Sequence, residues 1–170
     1  MDVHIPKVEE LMISNPVVTF LDSNIIHVAA TLLKEKCSFL PILDRETGNF
    51  VGIISEKELM EELVNDSLDR FFNETPLEFL MNKNPHTLSP EMDMFNAEEI
   101  FRANNLRHAP VLKGKKIVGI ISRKEILEAA LGCIKSKKAS FIEINKLKNF
   151  ETATLTDYIK KINDRQNPVL

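Results

Sequence analysis

The chain repeats itself, and this constrains its fold more than any other feature. Leu11-Met12 recurs as Leu80-Met81 at an offset of 69, and the same offset places Asn15-Pro16 on Asn84-Pro85 and Pro41 on Pro110. The register runs for 30 residues without a gap and then falls to 67, where Val51-Gly52-Ile53-Ile54-Ser55 lies on Val118-Gly119-Ile120-Ile121-Ser122 and Lys57-Glu58 on Lys124-Glu125. One loop accounts for the two lost residues. Asp44-Arg45-Glu46-Thr47-Gly48-Asn49 is a turn-rich connection, and Lys113-Gly114-Lys115-Lys116 is its shorter equivalent. The sequence is a tandem duplication, and 170 residues suffice for one sizeable core or two small ones sharing an interface.

Each copy reads as a βαββα unit. Pro16-Val17-Val18-Thr19-Phe20 is a short β-branched and aromatic run, followed by Asp22, Ser23 and Asn24, any of which suits a helix N-cap. From there Ile25, Ala29, Leu32 and Leu33 recur at the spacing of one helix face, as do Met94, Ala97 and Phe101 in the second copy. Two apolar runs about a turn apart, Phe39 to Leu43 and Phe50 to Ile54, suit paired strands covered on both faces. Ser55 then stands where a strand stops, ahead of the strong helix formers Glu56 to Leu63.

Composition narrows the function classes. The net charge of −3 arises from 22 basic and 25 acidic residues mixed along the chain, which argues against a nucleic-acid footprint or a polybasic membrane patch. No stretch approaches the roughly 20 apolar residues of a membrane helix, and the N-terminus lacks a signal-peptide pattern. Cys37 and Cys133 are isolated, so neither a disulfide framework nor a zinc site is expected, and the reduced cytoplasm is the expected location. His4, His27 and His86 have no ligand partners at metal spacing. With five glycines, no Gly-rich phosphate loop and no nucleophile paired with a base, an enzyme is not expected, and no cofactor is required.

A Leu-Met-x-x-x-Pro opening, an x-x-Pro-Val/Ile strand and a Val-Gly-Ile-Ile-Ser turn with an acid three residues on, all occurring twice, resemble the cystathionine β-synthase (CBS) domain pair, or Bateman module. The match spans roughly residues 5 to 130. The resemblance implies two α/β repeats related by a pseudo-twofold axis, repeat 1 over 5–63 and repeat 2 over 80–130. It further implies clefts that hold AMP, ADP or ATP, with S-adenosylmethionine or cyclic di-AMP as other ligands of the family, and a regulatory role through a homodimer or a separate effector protein. Glu61 to Phe79 connects the copies and is made apolar by Leu63, Leu68, Phe71 and Phe72, so the linker over 64–79 is expected to pack on the pair.

Site residues follow from the resemblance by position. Ser55 and Ser122 would offer a hydroxyl and helix N-terminal N–H groups to phosphate, a role beside which stands that of a plain N-cap. Relatives usually carry an Asp three residues on, for the ribose hydroxyls; here Glu58 and Glu125 stand instead, a departure that weakens this contact, and both also suit the first turn of a helix on dipole grounds alone. Arg107 and His108 match a basic pair that contacts phosphate in relatives, with Arg123 and Lys124 adding charge, whereas Ser38 and Phe39 occupy the pair's place in the first copy. The second motif set is therefore expected to bind better. Adenine is expected near Val18, Thr19, Leu40 and Pro41 in one cleft and near Thr87, Leu88, Ala109 and Pro110 in the other. A degenerate pair serving only as a dimerisation or interaction scaffold is the competing reading, supported by Glu58, Glu125 and Phe39. Residues 131–170 read as a largely helical extension: Leu131 to Lys138 continues the last helix, Phe141 to Ile144 suits a short strand, and Leu155, Tyr158, Ile159 and Ile162 share a helix face.

Overall fold

A computed structural model describes residues 4–66 and 75–135. The chain divides into the compact units Met1–Leu127, which holds both repeats, and Glu128–Leu170. The expectations for Leu68, Phe71 and Phe72, for the strand at Phe141 to Ile144 and for the helix at Leu155 to Ile162 lie outside the described residues.

The first repeat opens with a single helical turn, α1 (Val8–Leu11), and two short strands, β1 (Ile13–Ser14) and β2 (Thr19–Phe20). It continues through α2 (Ile25–Glu35), β3 (Phe39–Leu43), β4 (Phe50–Ser55) and α3 (Glu56–Asp66). The second contributes α4 (Leu77–Leu80), α5 (Met94–Ala103), β5 (His108–Lys113) and β6 (Lys116–Ser122), after which a helix, α6, runs over residues 123–135.

Capping chemistry sets the helix starts. Asn24 accepts from the Ile26 N–H at 2.8 Å, and its counterpart Asp93 accepts from Phe95 and Asn96 at 2.9 and 3.0 Å. Behind these caps the buried stripe of α2 is Ile25, Val28 and Leu32, superposing on Met94, Ala97 and Phe101 of α5. Of the other residues expected in that stripe, Ala29 packs half-buried against the same core, whereas Leu33 is 76% exposed.

Among the described residues two three-stranded sheets result, ordered β2-β3-β4 and β1-β6-β5. In the first, β2 runs parallel to β3, and β3 pairs antiparallel with β4 through Leu40↔Ile54 and Pro41↔Ile53. The strand expected over 16–20 is shorter than read, only Thr19–Phe20, and its second-copy equivalent is a single bridge, Leu88↔Val111. Proline spacing explains the truncation: Pro16 and Pro85 lack the N–H that a longer ladder needs.

The openings cross over. β1, from the first repeat, pairs with β6 of the second (Ile13↔Ile120), and Asn82, from the second, bridges to Ile53 of β4. These two pairings map onto each other through the offsets of 69 and 67, which is the pseudo-twofold relation expressed in hydrogen bonds. The crossing explains the glycine of each Val-Gly-Ile-Ile-Ser motif. A Cβ on Gly52 would stand 2.5 Å from the Asn82 carbonyl oxygen, and one on Gly119 would stand 2.5 Å from Met12 Sδ and 3.0 Å from the Ile13 carbonyl oxygen. Side chains follow the same path: Leu77, from α4, is 1% exposed within the cluster of Ile25, Val28, Leu32, Leu40, Ile42, Ile54 and Leu59.

Candidate functional site

Strand β3, strand β5 and the junction of β6 with α6 surround a cavity of about 310 Å³. Its walls come from both repeats: Lys36, Cys37, Ser38, Phe39 and Glu56 from the first, His108, Ile120, Ile121, Ser122 and Glu125 from the second, and Ile13 from the strand that crosses over. The α2 C-terminus aims the first group, since Lys36 takes a left-handed conformation (φ 53°) that turns the chain directly into β3. Asn105 (φ 50°) does the same ahead of β5, bringing His108 opposite Phe39.

Those two residues meet across the pseudo-twofold axis. The rings lie 5.2 Å apart at 38°, and Ser38 Oγ is 3.3 Å from His108 Nδ1 and 3.4 Å from Nε2. Burial lowers the His108 pKa below 6.5, opposed by the Glu125 carboxylate; Arg107 lowers it further and Glu56 raises it. The imidazole is therefore neutral near pH 7 and belongs to the cavity wall. Burial raises the Cys37 thiol pKa, so this group is also uncharged.

Ser122 and Glu125 form a reciprocal cap. The Glu125 Oε2 atom accepts from the Ser122 N–H at 2.7 Å and from its hydroxyl, while Ser122 Oγ accepts from the Lys124 N–H at 3.1 Å. Burial works against ionisation of Glu125, but the two Ser122 donors outweigh it and lower its pKa. Ser55 and Glu58 repeat the arrangement, with the Ser55 N–H donating to Glu58 Oε2 at 3.0 Å and its hydroxyl to the same oxygen. The longer Glu side chain thus folds back onto its own serine.

The remaining expected site residues distribute unevenly. Phe39, His108, Ser122 and Glu125 come together in this cavity, whereas Ser55 and Glu58 lie outside it. Leu40, Pro41, Ala109 and Pro110 are fully buried, and Thr19 and Leu88 nearly so, while Val18 is half-buried and Thr87 exposed. The basic cluster expected at Arg107, His108, Arg123 and Lys124 does not assemble in the cavity wall. Arg123 donates to Asn105 Oδ1 at 2.8 Å and to the Leu106 carbonyl, securing the loop before β5, and Arg107 is exposed outside the lining. The expected division into one cleft per copy also changes, because Ser122 shares its cavity with Ser38 and Phe39 of the other copy. Ile13, Lys36, Cys37, Glu56, Ile120 and Ile121 are wall residues that motif reading passed over; a twofold relation between equivalent positions was the signal that could have set Ser38 and Phe39 opposite His108 and Ser122.

Solved structures share this architecture. The CBS domain pair of protein MJ0100, in complex with 5′-methylthioadenosine and S-adenosyl-L-methionine, superposes with a TM-score of 0.65 at 23% identity, covering 76% of this chain and 98% of that one. CBSX2 in complex with AMP gives a TM-score of 0.63 at 21% identity, covering 74% and 96%. Among sequence relatives, the A-adding tRNA nucleotidyltransferase of Aquifex aeolicus is 30% identical over 123 residues, which are 72% of this chain and 14% of that enzyme. An uncharacterized protein of Methanocaldococcus jannaschii is 25% identical over 150 residues, covering 71% of this chain and 89% of that protein. The CBS domain profile matches twice, over residues 8–65 and 77–132, and with more than half of the chain accounted for in two crossed-over copies, the protein belongs to the CBS domain family.

Proposed function

We propose that the chain is a regulatory module that binds an adenosine-based ligand of the adenine nucleotide class, AMP, ADP or ATP, between its repeats and signals the binding to a partner by a change of conformation. The observation that carries this reading is the mixed parentage of the cavity wall. A ligand lying against Ser38 and Phe39 on one side and Ser122 and Glu125 on the other touches both repeats, so its affinity depends on how the repeats are set. Structural neighbours crystallised with AMP, or with S-adenosylmethionine and methylthioadenosine, support the ligand class. A non-catalytic role fits a wall in which the one serine–histidine contact, Ser38 with His108, has its imidazole packed against Phe39.

A homodimer, an effector protein and a cytoplasmic setting complete the reading. The apolar side chains exposed on α2 and α5, Ile26, Leu33 and Phe95, support the dimer, and the free Cys37 and Cys133 suit a reducing compartment. The scaffold reading draws on a specific observation as well: both serine–glutamate pairs satisfy themselves without a ligand.

A thermal-shift and calorimetric screen of the full chain against AMP, ADP, ATP, S-adenosylmethionine, cyclic di-AMP, GTP and NADH tests the proposal. A ligand at 100 times its Kd stabilises the fold by about 2.7 kcal/mol, so a 10 μM binder at about 1 mM shifts the transition visibly. Adenosine-selective stabilisation weakened by Ser122→Ala supports the sensor; no shift at millimolar concentration leaves the scaffold.

A further inference from the structure

Strands β3 and β5 lead away from the cavity to the hairpin turns over 44–49 and 113–116, and there the repeats meet again. The Phe50 N–H, just after the first turn, donates to the Lys115 carbonyl at 2.9 Å, and the Lys116 ammonium donates to the Thr47 carbonyl. Gly48, left-handed at φ 62°, keeps the approach of Lys116 open, since a Cβ there would stand 3.2 Å from Lys116 Nζ. The first turn is closed on itself: the Asp44 carboxylate accepts from the Thr47 N–H at 2.7 Å and the Asp44 carbonyl from the Gly48 N–H at 2.7 Å. The Thr47 carbonyl is thus presented from a fixed loop, the same loop whose two extra residues break the register of the duplication.

An element that touches its own mate lies on the pseudo-twofold axis. Phe39 and His108 are such a pair at the offset of 69, and the two turns are another, so the axis runs along β3 and β5 from the cavity to the turns. The six residues of β5 separate these contacts by about 17 Å. Two contacts spaced along one line hold the repeats against rocking. Loss of the outer one frees the cavity walls to shift, because those walls come from both repeats.

We propose that the joined turns position the cavity, with Thr47 and Lys116 setting, from the far end of the strands, how Ser38 and Phe39 face His108 and Ser122. In the ligand-binding reading above, on which this part rests, they govern affinity without touching the ligand. Repeats that spend less time in the binding arrangement bind more weakly in proportion.

Proton NMR of the full chain tests the positioning role without a ligand. The chain has four histidines, so the His108 ring signals can be resolved, and His108→Phe assigns them. One variant replaces residues 44–49 by a copy of residues 113–116, which keeps Leu43 opposite Phe50 as Leu112 stands opposite Ile117, removes the Thr47 carbonyl and sets lysines against lysines. Lys116→Met is the milder form. Arg45→Ala is the control: Arg45 lies in the same turn, but its partners, Asp22 at 2.9 Å and the Phe20 ring at 4.1 Å, belong to the first repeat. The turn replacement and, to a lesser degree, Lys116→Met are expected to move the His108 signals out of the ring current of Phe39 and to raise the His108 titration midpoint toward 6.5, while Arg45→Ala leaves both unchanged. AMP, titrated calorimetrically, is expected to bind the turn replacement at least about threefold more weakly than the unaltered chain. Unchanged His108 signals and midpoint in a turn replacement that still melts cooperatively overturn the proposal, as does an equal change in Arg45→Ala. AMP binding to neither protein overturns the nucleotide reading instead, and the His108 comparison then decides the positioning role by itself.

Discussion

His108 shows how the fold sets the environment of a single side chain. Its place before Ala109-Pro110 suggests a phosphate contact, yet the fold sets it against Phe39 and Ser38, where burial disfavours the imidazolium. The consequence is a pH dependence of known sign. In the unfolded chain the imidazole takes up a proton near 6.5, while in the folded chain it resists protonation, so below that pH the unfolded state binds more protons. Stability is therefore unaffected by His108 above about 6.5, falls as the pH drops through the interval down to its folded value, and levels off beneath it. The Glu125 and Glu56 carboxylates narrow that interval and Arg107 widens it. Thermal melts between pH 7.5 and 5.5 should show this decline, and His108→Phe, which keeps a ring beside Phe39, should flatten it. An unchanged slope in that variant would place the titration elsewhere. Glu125 acts in a separate window: its lowered pKa contributes stability at neutral pH that is lost only as carboxylates protonate.

At the scale of elements, most of the fold was legible because its signals are local. Periodicity located α2 and α5, the turn residues located the hairpins, and Ser55 and Ser122 marked the strand-to-helix junctions. What local pattern does not encode is where β1 goes, since Ile13-Ser14 pairs with a strand more than 100 residues away. The same gap bears on the cavity: its wall depends on which copy faces which, and motif positions alone carry no such information. Even so, the repeat motif holds the trace of the crossover in its glycine. Gly52→Ala would drive a methyl group into the backbone carbonyl of Asn82, which is held by two hydrogen bonds to Ile53 and has little room to retreat. Gly119→Ala meets mainly the end of Met12, a flexible thioether that can swing aside, although the Ile13 carbonyl is also close. Gly52→Ala is thus expected to cost about 1–3 kcal/mol, the range of overpacking, and Gly119→Ala less. Urea denaturation of the two variants measures the difference, and equal costs would mean that the Asn82 segment yields as easily as a side chain.

At the scale of the whole molecule, the crossover makes each repeat incomplete without the other. The Val8 N–H donates to the Met92 carbonyl at 2.8 Å and the Met94 N–H to the Pro6 carbonyl at 2.9 Å, so the opening of the first repeat is fastened to the helix start of the second. In the other direction, Leu77 fills the core of the first repeat from the segment that opens the second. Such reciprocal stapling predicts one cooperative unit rather than two. It also suits a sensor, because a ligand at the shared cavity then acts on a pair whose halves cannot move independently of their exchanged segments. Leu77→Ala removes a side chain that is 1% exposed and should cost about 2–5 kcal/mol. Hydrogen exchange under native conditions reads the coupling directly. If the repeats unfold as one, Leu77→Ala lowers protection in β5 and β6, far from the cavity it leaves, by the same free energy as in β3 and β4, and the denaturation curve keeps a single transition. Loss of protection confined to β3 and β4, with β5 and β6 unchanged, would show that the exchanged segments decorate two independent domains. In that case the proposed signalling would have to pass through the cavity contacts alone, through Phe39, His108 and the proposed ligand.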